Sequence, residues 1–174
     1  MIERLLQLLS EATAAIPAHY FQLPVADQEC TIYRERVYCY ELYHQLRELL
    51  KADPLFDRYA LCGEVDKSGH PIIRRHVPDF VLHVPRAMDA NLVVIEVKPI
   101  NAELSGFRKD LETLAYFTSD IVGYQCGIEL VYGDNEGGLN EFTRKFPRDS
   151  RKLQLFWHQS PGTRAVAVPT LKDC

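Results

Sequence analysis

NLVVIEVK, residues 91–98, runs from four consecutive apolar side chains into Glu96, Val97 and Lys98. The apolar lead-in reads as a central strand buried on both faces. Its end breaks that pattern. A strand has a period of two, so Glu96 and Lys98 share one face and Val97 takes the other. Two ionisable groups at the end of an apolar strand are costly unless they have partners. The rest of the chain is read for those partners.

The preceding segment RRHVPDFVLHV, residues 74–84, is strand-like and carries Pro78-Asp79 in its middle. Proline cannot donate to a ladder, so it implies an edge, a bulge or a bend, and bulges re-aim side chains beside functional sites. The side chain delivered here is Asp79. RYALCGEV (58–65) is an earlier strand-like run, closed by the turn DKSGHP, and PRAMDAN separates RRHVPDFVLHV from NLVVIEVK. Short polar connections predict an antiparallel meander. Neighbouring strands would then bring Asp79, Glu96 and Lys98 together.

Apolar spacing at i, i+3 and i+4 predicts helices over 2–16, from about Ile32 to Lys51, and over 102–118. Asp53-Pro54 stops the second of these. GYQCGIELVYG (123–133) reads as a strand, DNEGGLN as a loop, and LQLFWHQ and RAVAVP as further strands. The order is helix, helix, three strands, helix, strand and a β-rich tail. These elements alone suggest an antiparallel sheet with helices on its faces, in the α+β class.

Composition bounds the function. A chain of 174 residues that is 47% hydrophobic and 25% charged fits one soluble globular domain, 1–174, without linker or repeat. A formal net charge of −4 argues against a sequence-independent nucleic-acid coat, though not against a local basic groove. Five scattered cysteines without a CxxC pair give no disulfide framework or zinc ribbon and fit a reducing, cytoplasmic setting. The N-terminal helix carries Glu3, Arg4 and Glu11, unlike a signal peptide. No stretch approaches the ~18 apolar residues of a membrane span.

Two carboxylates at one sheet end repel unless a cation sits between them. Mg²⁺, with Mn²⁺ as a substitute, suits that slot, taking one or two carboxylates with waters and phosphate oxygens. Such an ion activates a bound water and offsets charge on a phosphate, and a nearby lysine assists. These are the parts of metal-assisted phosphodiester hydrolysis.

Pro78-Asp79-Phe80, then Glu96-Val97-Lys98, within the order helix, three strands, helix, strand, resembles the PD-(D/E)XK nuclease superfamily. The resemblance covers residues 32–133. It implies a restriction-endonuclease-like αβββαβ core, a mixed central sheet flanked by helices, with an extra N-terminal helix and a β-rich C-terminal tail. It also implies a metal-dependent deoxyribonuclease, most simply an endonuclease. Asp79, Glu96 and the Val97 backbone carbonyl become metal ligands, and Lys98 the catalytic lysine. Glu41 is the candidate for the helical glutamate many members carry, and Glu64 a further carboxylate. Lys109 or Arg108 is a loose match to a basic position in the following helix.

Each residue also has a plainer reading. Glu96 and Lys98 would be a surface ion pair, contributing about 0–1 kcal/mol. Asp79 would make an Asx turn. Glu41 would lie on the helix's polar face or partner Arg47 or His44, and Lys109 would be a solvated helix lysine. Arg74 and Arg75, and the run TRKFPRDSRK (143–152) with Arg144, Lys145, Arg148, Arg151 and Lys152, are phosphate contacts or solvated loops. His76 and His83 read as strand-surface residues, and Trp157 as core or a partner contact. The rival to the nuclease is a catalytically silent or partner-dependent nucleic-acid-binding module of the same fold. A homodimer or partner subunit would then help to grip DNA; RNA is the other substrate.

Overall fold

A mixed six-stranded sheet divides the protein into two apolar cores. The computed structural model describes residues 1–27, 29–64, 77–87, 89–147 and 151–169. Its elements in chain order are α1 (Ile2–Ala14), α2 (Ala18–Phe21), β1 (Leu23–Pro24), β2 (Thr31–Ile32), α3 (Glu35–Ala52), a 3₁₀ turn (Pro54–Phe56), β3 (Ala60–Gly63), β4 (Phe80–His83), β5 (Asn91–Pro99), α4 (Leu104–Phe117), β6 (Cys126–Tyr132), α5 (Glu136–Lys145), β7 (Leu153–His158) and β8 (Val166–Ala167). β1 and β2 form a separate small ribbon.

The large sheet runs β3-β4-β5-β6-β7-β8. Its first three strands are the antiparallel meander that the tight connections predict. β6 and β7 then join in parallel, and β8 closes the far edge antiparallel. The all-antiparallel expectation is therefore corrected: α4 and α5 are crossovers, and a crossover returns the chain to a parallel neighbour. The architecture is α+β, with helices on both faces of a mixed sheet.

Alternation along β5 sorts its side chains. Val93, Ile95 and Val97 enter the core beneath α1 and α3, while Val94 enters the core beneath α4 and α5. Glu96 and Lys98 share the parity of Val94 and so belong to the α4 face. On β6, registered in parallel with β5, Glu129 stands opposite Glu96. α4 packs closely on β6 at Gly127, where an added Cβ would come within 2.6 Å of Leu153 and 3.2 Å of Thr118.

Two local expectations change. DNEGGLN is not a loop, and the tail is not purely β: Asn135 caps α5 through its side chain, which accepts the Gly138 N–H at 3.0 Å. Gly138 is needed for closeness, since a Cβ there would lie 3.0 Å from the Ile100 carbonyl. Pro78 and Asp79 precede β4 rather than interrupting it, which spares the ladder the missing proline N–H. Arg74, Arg75, His76 and Arg148, with the turn 66–71, lie outside the described residues. Among the described residues, no helix is long and apolar enough to cross a membrane.

Candidate active site

Phe80 pairs with Ile95, so the next residues outward, Asp79 and Glu96, meet where β4 begins. Their carboxylates are exchanged across the two strands. Asp79 Oδ2 accepts the Val97 N–H at 2.7 Å, and Glu96 Oε2 accepts the Asp79 N–H at 3.3 Å. Glu96 is buried, with 5% of its surface exposed. Burial pushes both carboxyls up. Asp79 rises to about 6, against the opposing pull of the Val97 N–H, with Glu35 adding to the rise. Glu96 stands well above the usual carboxylate range, through burial first and then the negative charge of Asp79 and Asp110. Such a pair is short of positive charge.

Lys98 supplies part of it. Its Nζ donates to Glu35 Oε2 at 2.9 Å and forms an ion pair with Asp110 Oδ2, also at 2.9 Å. Burial alone would lower its pKa, but Glu35 and Asp110 outweigh burial and hold the ammonium well above its ordinary value. Asp110 is itself raised by burial, against the pull of Lys98. Lys98 is therefore a fixed cation.

A cleft of about 230 Å³ runs over these groups, lined by Asp79, Glu96, Lys98 and Glu35 and, on α4, by Lys109, Asp110 and Thr113. Beneath α4 lies Glu129, fully buried, with both carboxylate oxygens unpartnered. Burial drives its pKa well up, reinforced by Asp110 and Glu96.

Asp79, Glu96 and Lys98 thus meet as the sequence predicts. Glu41 does not join them. It lies six residues beyond Glu35, which turns it by about 120° around the helix, and it accepts from Gln45 Nε2 at 2.7 Å rather than partnering His44 or Arg47. The helical glutamate at the site is Glu35. Glu64, at a left-handed φ of 41°, pairs with Arg36 at 3.1 Å and does not line the cleft. Lys109 lines the cleft but is exposed, and its neighbour Asp110 is the residue that pairs with Lys98.

The described basic residues of the run do not line the cleft. Arg144 and Lys145 end α5, exposed. Arg151 is exposed in the turn before β7. Lys152 donates to the Thr118 carbonyl at 2.7 Å and faces Asp120 at 3.7 Å, at the C-terminal end of α4, about two turns beyond Asp110. His83 lies 3.8 Å from Cys62 Sγ, a proximity that β-pairing creates and spacing does not reveal. Trp157 is half-buried and donates to the Gly133 carbonyl.

No three His, Cys, Asp or Glu side chains among the described residues form a ready-made metal cluster. The donor set still fits Mg²⁺ or Mn²⁺. Such ions take one or two carboxylates and complete their shell with water and phosphate oxygens, and Asp79 and Glu96 are two adjacent oxygen donors lacking positive charge. Comparison of the chain with protein-family models, with curated proteins and with solved structures returns no match.

Proposed function

We propose that the protein is a metal-dependent nuclease of the PD-(D/E)XK type, with a restriction-endonuclease-like core, hydrolysing DNA phosphodiesters. The observation that carries this reading is the exchanged pair of Asp79 and Glu96, with Lys98 beside it on the same strand. Asp79 and Glu96, with the Val97 carbonyl as a further oxygen, would hold Mg²⁺ or Mn²⁺. When bound, the ion supplies an activated water and neutralises charge on the phosphate. Lys98 acts as a hydrogen-bond donor, since Glu35 and Asp110 keep it charged; it stabilises negative charge on the phosphoryl oxygens rather than removing a proton. Water attacks phosphorus in line, the P–O ester bond breaks, and the products are a phosphate monoester and a hydroxyl.

A second reading, a module that needs a partner subunit or a homodimer to grip DNA, is favoured by the placement of the basic residues. Phosphate contacts dominate affinity for duplex DNA, and Lys152 is occupied away from the site. The test is incubation with linear, circular, single-stranded and branched DNA and with RNA, in Mg²⁺ or Mn²⁺. The nuclease reading expects cutting that stops in chelator and in Asp79→Asn. Cutting that persists in both would sink it, and no cutting of any substrate would favour the partner-dependent module.

A further inference from the structure

A groove of about 590 Å³ adjoins the cleft on the α3 side of the sheet. Cys39, Tyr40 and Tyr43, one stripe of α3, face Gly63, Val77 and Phe80 at the edge of the sheet. Its walls combine these aromatic and aliphatic side chains with the charged groups of Glu35, Arg36, Glu64 and Asp79. Tyr43 stacks near Phe80, with ring centroids 6.2 Å apart and planes at 28°, and its hydroxyl is fixed on the Leu61 carbonyl at 3.1 Å. Tyr40 stands at the rim with 64% of its surface exposed, and Val77 with 53%. Arg36 and Glu64 pair at the rim, an exposed contact worth little and easily opened. Glu35, Val77 and Asp79 line both the groove and the cleft, so the two are continuous.

We infer that this groove is a base-binding subsite that takes the unpaired nucleotide next to the phosphate at Asp79, which makes single-stranded DNA, or DNA with a frayed end, the substrate class. The inference rests on the nuclease reading for that phosphate. An intact duplex exposes only base edges, and its π-faces are covered; an aromatic slot can be filled only by a base out of the stack. The volume lies within the roughly 300–1,000 Å³ range of small-molecule sites. Arg36, once it leaves Glu64, is placed to meet the backbone of that nucleotide. Stacking would also supply affinity that an acidic protein with a dispersed set of basic residues does not obtain from phosphates.

The test measures binding and cutting separately. Binding of a labelled oligothymidylate of about 12 nucleotides is followed by fluorescence anisotropy in Ca²⁺, beside a blunt hairpin duplex and an oligouridylate. Four proteins are compared: wild type, Tyr40→Ala, Tyr40→Phe and Gly63→Leu. The leucine is chosen to occupy the groove, which Gly63 lines, and a Cβ there meets Phe80 and the Asp79 carbonyl at 3.6 Å, ordinary contact. The oligothymidylate should bind more tightly than the hairpin. Tyr40→Ala should weaken it about tenfold or more, Tyr40→Phe should bind as wild type, and Gly63→Leu should lose binding with its melting temperature unchanged. Equal or tighter binding of the hairpin, or Tyr40→Ala and Gly63→Leu proteins that bind as wild type, would overturn the subsite. Tighter binding of the oligouridylate would overturn the choice of DNA. Cutting is assayed on the same proteins in Mg²⁺. If wild type cuts while the groove variants bind and cut normally, only the subsite fails; if the binding pattern holds and nothing is cut, only the nuclease reading fails.

Discussion

The Val97 N–H donates to Asp79 Oδ2 at 2.7 Å, tying the residue between Glu96 and Lys98 to the carboxylate of the neighbouring strand. The bond fixes where Asp79 points and keeps its carboxylate beside that of Glu96. Asp79→Asn retains an oxygen that can accept this N–H and loses the charge. Its melting temperature should stay close to wild type while cutting falls by at least about a hundredfold. A melting temperature lowered in step with activity would mean that Asp79 only holds the fold.

Lys98 is the counter-ion of Asp110 and Glu35, with only 13% of its side chain exposed. Removing one partner of such a pair leaves buried charge uncompensated. Lys98→Met should cost about 3 kcal/mol in urea denaturation, and markedly less in an Asp110→Asn background. Additive losses would show that the two residues are not coupled.

Glu129 sets a pH dependence. Burial raises its folded pKa well above the 4.5 of an ordinary glutamate. Above pH 4.5 the unfolded chain gives up this proton while the folded protein keeps it, so stability is full below that value and falls as pH rises toward the folded pKa. Asp79 adds the same sign between 3.8 and about 6. Glu129→Gln removes its share of the loss, so that variant should melt at least about 3 °C higher than wild type at pH 8, with the gap closing by pH 4. A variant less stable at pH 8 would show that Glu129 is ionised and partnered.

His158 acts in the opposite direction. It is fully buried, with Nδ1 2.8 Å from the Tyr38 hydroxyl, and burial pushes its pKa down from 6.5 to about 4. Its stabilisation is present above 6.5 and lost as pH falls toward 4. Thermal melting of His158→Phe should lack that acid-side slope. An unchanged slope would place the acid sensitivity elsewhere.

What the sequence discloses and what it hides follow from distance along the chain. Asp79 immediately precedes β4 and Glu96 and Lys98 lie in the neighbouring β5, where alternation is local, so their meeting can be read from two segments. Glu35 was hidden because helical phase, rather than residue type, separates it from Glu41. Asp110 is next to Lys109, where a shift of one residue decides which side chain turns inward. Glu129 carries one overlooked signal, a lone carboxylate inside the apolar run GIELVYG, but its nearness to Glu96 depends on parallel pairing through a crossover. α5 was masked by Gly137 and Gly138, which break helical propensity while Gly138 permits close approach to Ile100.

The most direct test is a calorimetric titration of Mn²⁺ into wild type and Asp79→Asn at pH 6, in two buffers of different protonation enthalpy. Asp79, with a pKa of about 6, should release protons as the ion binds. The account predicts a binding heat in wild type that changes with the buffer and disappears in Asp79→Asn. Absence of heat in wild type, or a heat unaltered by Asp79→Asn, would contradict it.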